Sequence, residues 1–172
     1  AGACAAVFLF LAFLVHLQRA PLNGFDDLGR SAESWARGHD GLVTVLRWIE
    51  VAFAGLGMMA LTLLVAIPLW IRKHHRAAIY TLFVMVSDNI LYNSIKVLYG
   101  RNRPVWQEPA DLLTSKSFPS GHSASTAAFA GVVLVLATML IRRGNLRRAV
   151  CTAAVLLPLA VGADRVLLGR HF

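Results

Sequence analysis

The chain has 172 residues, of which 57% are hydrophobic and only 15% charged, and its mean hydropathy is +0.60. Soluble domains carry roughly a quarter charged residues, so this composition excludes an ordinary water-soluble globule. The net charge of +8 would suit a nucleic-acid binder. However, the cations are scattered between apolar blocks, which fits lipid headgroups or phosphate ligands and gives no nucleic-acid partner.

Five apolar blocks run at about 3–18, 51–71, 77–98, 121–141 and 149–168. Each is close to the ~20 residues that cross a hydrocarbon core of about 30 Å. The expectation is an all-α, polytopic bundle of transmembrane helices, with five spans in a single membrane-embedded domain over residues 1–172. The first block has no basic n-region and no cleavage site before Pro21, so it reads as a span and not a signal peptide. The chain starts at Ala1 without a methionine, and its true start is expected further upstream. Cys4 and Cys151 both lie in apolar blocks, which predicts no disulfide and no metal site.

Residues 19–50 read as the first long connection. Within it Leu42, Val45, Leu46 and Ile49 recur at helical spacing, with Arg47 and Glu50 off that face. The pattern suits a short interfacial helix capped by Asp40, with Trp35 and Trp48 at headgroup depth; an ordinary surface loop is the other reading. Gly55 and Gly57 mark a bend into the second span, and Pro68 is placed to kink its far end.

The third span carries a polar stripe. Asp88, Tyr92 and Lys96 are four apart, and Asn89, Asn93 and Lys96 share a face. Ionisable residues at membrane depth mark functional positions, although a lysine snorkelling to the interface above an aspartate would give the same stripe. The segments 72–76 (RKHHR) and 142–148 (RRGNLRR) are dense in cations and two crossings apart. They share a side, which the positive-inside rule makes cytoplasmic.

Residues 117–126, SFPSGHSAST, lead into the fourth span. Ser120 is placed to cap the helix, Gly121 admits a ligand close to the backbone, and the helix start offers N–H groups and a positive dipole end. His122 adds a titratable donor to this turn. A plain helix cap at the membrane surface would use the same residues. Three segments nevertheless converge on this face: Lys96, then Arg101, Arg103 and Lys116 before the turn, then Asp164, Arg165, Arg170 and His171 after the return crossing. Cations gathered at an interface suit an oxyanion with several equivalent oxygens, and phosphate matches the number of donors.

KVLYGRNRP (Lys96 to Pro104), PSGH (Pro119 to His122) and DRVLLGRH (Asp164 to His171) together resemble the three motifs of the type 2 phosphatidic acid phosphatase superfamily. That family holds lipid phosphate phosphatases, prenyl diphosphate phosphatases and vanadium haloperoxidases. The resemblance runs from the third span to the end of the chain. It implies His171 as the nucleophile that becomes a phosphohistidine and His122 as the general acid. It further implies that Lys96, Arg103, Ser120, Gly121 and Arg165 hold the phosphoryl oxygens, with no metal or cofactor.

Two departures stand out. Asp164 occupies the position where the family's third motif usually has serine, and it is placed either to pair with Arg165 or to point away. The aspartate expected four residues after His171, and a sixth span, are not in the 172 residues, so the chain is expected to be a fragment. The resulting reading is a multi-pass plasma-membrane phosphatase, acting on a phosphatidate-type lipid or a polyprenyl diphosphate such as undecaprenyl diphosphate at the extracytoplasmic face. A non-catalytic protein that binds or moves anionic lipid is the alternative. Haloperoxidase chemistry suits a membrane-embedded chain poorly, because a halide is diffusible.

Overall fold

The computed structural model describes residues 22–99 and 118–170. Six helices follow in chain order: α1 (Leu22–Arg37), α2 (Asp40–Ala52), α3 (Gly55–Ile71), α4 (His75–Tyr99), α5 (Gly121–Leu140) and α6 (Gly144–Leu167). There is no strand among the described residues, as the all-α reading expects. The apolar block at 3–18 lies outside the described residues.

The first connection is more ordered than its sequence suggests. Residues 22–37 form α1, whose buried face is Gly29, Glu33 and Ala36, at helical spacing. That face packs on α6. Glu33 is paired with Arg37 one turn on, and Arg37 in the last turn complements the helix dipole. The short helix expected in this connection is present as α2, but His39 and not Asp40 is its N-cap residue. Asp40 sits in the first turn, where its charge meets the positive dipole end. Leu46 is buried, while Val45 and Trp48 are exposed.

Between α2 and α3 the chain bends by 61°. The bend brings the Ala52 carbonyl oxygen to 1.9 Å from where a Cβ on Gly57 would lie, so no residue with a Cβ fits without moving the backbone. This is the turn that Gly55 and Gly57 mark in the sequence. Pro68 lies within α3, which continues past it to Ile71.

α5 and α6, of 20 and 24 residues, are each long and apolar enough to span a membrane. The bent pair α2–α3 makes a third span if counted as one. α4 has 25 residues, yet Asp88, Asn89, Asn93 and Lys96 keep it outside that group. The core joins Met58 of α3, Met85 of α4 and Phe129 of α5. Leu64, Phe83, Val97 and Leu159 point outward and are exposed. Apolar side chains on the outer faces of long helices fit a hydrocarbon surround and not water.

α6 ends in a Schellman motif. Gly169 has φ +64, its N–H donates to the Val166 carbonyl at 2.9 Å, and the Arg170 N–H donates to the Arg165 carbonyl at 2.9 Å. The left-handed glycine turns the chain back, so that Arg170 returns to the level of Arg165. A Cβ on Gly169 would also lie 3.0 Å from Glu33 Cγ, which ties the motif to α1.

The two kinds of glycine respond to substitution in opposite directions. Gly57→Ala is expected to cost roughly 2 kcal/mol or more in thermal unfolding in detergent, because backbone must move. Gly131→Ala, where a Cβ meets nothing within 4 Å, is expected to gain about 0.5–1 kcal/mol from helix propensity. Equal effects from the two would contradict the bend as described.

Candidate anion site

Four helix ends build the site. Ser120 is the N-cap of α5, and its Oγ accepts from the Ser123 N–H at 3.4 Å, as the sequence led us to expect. Gly121 follows, and a Cβ there would lie 3.1 Å from Cε2 of Tyr92. The space kept open by this glycine is thus taken by the Tyr92 ring, which α4 packs against the start of α5. Tyr92 is held in turn by Asn89, whose amide donates to its hydroxyl at 2.9 Å. One turn further along α4, Lys96 Nζ sits 6.0 Å from the centre of the Tyr92 ring, at the outer limit of cation–π contact. Asp88 accepts from the Ser125 hydroxyl at 3.0 Å, a polar tie between α4 and α5.

His122 faces α2. Its Nε2–H donates to the backbone carbonyl of Glu50 at 3.1 Å, which fixes that nitrogen as the proton-bearing one. The Glu50 side chain reaches the other way, to the end of α6. Its Oε1 accepts from Arg165 Nη1 at 2.8 Å and from Arg170 Nε at 3.2 Å, and Oε2 accepts from Arg170 Nη2 at 3.3 Å. Arg165 is 2% exposed, and Asp164 beside it is equally buried. Asp164 Oδ2 accepts from Arg165 Nε at 2.8 Å and also from Nη2. Asp164 therefore pairs with Arg165 and does not point away. Two buried guanidiniums are matched by two carboxylates, the condition under which such charges tolerate burial.

A cavity of about 780 Å³ opens beside this network. Its polar end is lined by Glu50, Tyr92, Lys96, Gly121 and His122. From there it runs between α3 and α4 past Met58, Met59, Leu63, Leu82 and Val86. Lys96 and Leu82 are separated by about 21 Å of helix at 1.5 Å per residue. The space is therefore amphipathic along its length, cationic at one end and apolar at the other.

Of the expected phosphate-binding residues, Lys96 and Gly121 line the cavity, and the proposed general acid His122 lines it beside them. Ser120 caps the same turn, and Arg165 is joined to the group through Glu50. Arg103 and His171 lie outside the described residues. No cluster of three or more His, Cys, Asp or Glu able to hold a metal occurs among the described residues. Sequence reasoning missed Glu50, placing it off the packed face of its helix. The available signal was a lone carboxylate at the edge of an apolar block, in a chain whose cations outnumber its acids 17 to 9.

Residues 77–172 match the model of the PAP2 superfamily. The fold matches the crystal structure of a transmembrane PAP2-type phosphatidylglycerolphosphate phosphatase from Bacillus subtilis. The TM-score is 0.80 at 23% identity, over 98% of this chain and 84% of that one. No curated protein matches the sequence. The family match takes in Lys96, the Ser120–His122 turn and the Arg165 end of α6, the segments that the fold brings together, and the chain belongs to the PAP2 superfamily.

Proposed function

We propose that the protein is an integral-membrane phosphatase that hydrolyses a lipid phosphate or diphosphate, of phosphatidate type or a polyprenyl diphosphate, at the extracytoplasmic face. The observation that carries this reading is the amphipathic cavity, with Lys96 and His122 at one end and an apolar channel between α3 and α4 at the other. A lipid with a terminal phosphate has the same polarity along its length. Five spans, including α4 and the block at 3–18, complete the membrane bundle in this reading.

In the proposed mechanism a His171 nitrogen attacks phosphorus and the bond to the leaving oxygen breaks. His122 gives that oxygen its proton, and a phosphohistidine remains. Water then attacks phosphorus with His122 as base, which releases phosphate and restores both imidazoles. Lys96, Arg103, Ser120, the Gly121 N–H and Arg165 hold the equatorial oxygens and offset the charge that develops on them. No metal enters the mechanism.

Phosphate release from a panel of lipid phosphates by the full-length protein in detergent tests the function directly. Release that survives excess EDTA and is inhibited by vanadate is expected. Binding of the lipids without release would favour the alternative, a protein that binds or moves anionic lipid.

The two histidines should differ in their dependence on leaving group. His171→Ala is expected to abolish turnover of alkyl phosphates and p-nitrophenyl phosphate alike. His122→Ala should lose roughly 10²–10⁴-fold at saturation on an alkyl phosphate, whose leaving group needs a proton, and far less on p-nitrophenyl phosphate. The same dependence in both mutants would refute this division of roles.

Topology is tested by single cysteines at Ser115 and Asn145. An impermeant reagent on intact cells should label the Ser115→Cys protein and not Asn145→Cys. The reverse pattern would place the site on the cytoplasmic side.

A further inference from the structure

The site as described has an unexpected occupant. Glu50 lies outside the segment that matches the family, residues 77–172, and none of the three motifs contains it. Its carboxylate nevertheless bridges both guanidiniums at the end of α6, Arg165 at 2.8 Å and Arg170 at 3.2 and 3.3 Å. Glu50 also lines the amphipathic cavity, whereas neither Arg165 nor Arg170 is among its described lining residues. Both arginines are buried. A ligand in the cavity therefore meets Lys96 and His122 directly, but it meets a carboxylate in front of the arginine pair.

We propose that Glu50 determines the anion selectivity of the site: its carboxylate holds Arg165 and Arg170 until a phosphate dianion displaces it. This inference rests on the reading of Arg165 as a phosphate-holding residue. A carboxylate has two oxygens and a single charge. A terminal phosphate presents three oxygens and up to two charges, so exchange at a pair of guanidiniums favours the phosphate. A phosphodiester offers one charge and two free oxygens, no more than Glu50 supplies, and gains nothing by the exchange. Most lipids of a bilayer carry their phosphate as a diester, and an enzyme embedded among them has to reject these in large excess. A resident carboxylate achieves that without a pocket shaped to any one headgroup, by placing an unfavourable charge against the wrong ligand.

Glu50 is held for such a role by its own backbone. Its carbonyl accepts from His122, and α2 packs against α6. The side chain can leave the arginines while the main chain keeps its bond to the histidine. Asp164 remains on Arg165 Nε and Nη2, so the guanidinium keeps its orientation as Glu50 departs.

The test uses Glu50→Gln in the purified full-length protein, with inorganic phosphate and dimethyl phosphate as probes and thermal stabilisation as the readout. Wild-type protein should be stabilised by phosphate and not by dimethyl phosphate. Glu50→Gln should bind phosphate roughly tenfold more tightly, since a competing charge is gone, and should respond to dimethyl phosphate as well. If Glu50→Gln does not fold, Glu50→Asp, one methylene too short to bridge both guanidiniums, should shift in the same direction by less. Weaker phosphate stabilisation in the variants than in wild type would overturn the proposal and make Glu50 a scaffold for the arginines. Absence of phosphate stabilisation in every form would overturn the anion site itself, and with it this proposal.

Discussion

Everything at the functional end of the molecule depends on how two buried arginines are neutralised. An ion moved out of water into a protein interior costs several kcal/mol unless close partners offset it. Arg165 and Arg170 are buried at the end of α6 and meet Glu50 and Asp164 there. Glu50 comes from a helix 115 residues earlier in the chain, so this one interaction closes the structure from its first described segments to its last. The bend at Gly57, the Schellman turn at Gly169 and the packing of α1 against that turn each serve to bring these charges together.

The cavity beside this network takes its polarity from α4, with His122 and Glu50 at the same end. Along α4 the side chains change from Leu82 and Val86 to Asn89, Tyr92, Asn93 and Lys96, and α3 supplies the apolar opposite wall. Mutual support among Asn93, Asn89 and Tyr92 satisfies these polar groups within the helix, which lets a polar stripe exist beside apolar packing. The stripe is therefore one wall of a passage from a hydrocarbon-like region to a cationic end.

The sequence made part of this site legible. Ser120 as the cap of α5, the convergence of Lys96, His122 and Arg165 and the bend at Gly55–Gly57 follow from local rules: capping preference, helical spacing and the tolerance of glycine. α1 was not legible because its buried face is Gly29, Glu33 and Ala36, which carries no strong apolar period. Glu50 was not legible because its direction depends on the 61° bend that follows it, a tertiary feature. In the sequence Gly121 signals room for a ligand, and only the fold places the Tyr92 ring against it. Asp164 left two orientations open in the sequence, and burial beside a guanidinium selects between them.

A structure of the full-length protein with bound vanadate would test the account at its centre. The account predicts the oxyanion between Lys96, the start of α5 and Arg165, with the Glu50 carboxylate moved off the arginine pair and its carbonyl still bonded to His122. An oxyanion bound away from these residues, or one bound there while Glu50 still bridges Arg165 and Arg170, would contradict it.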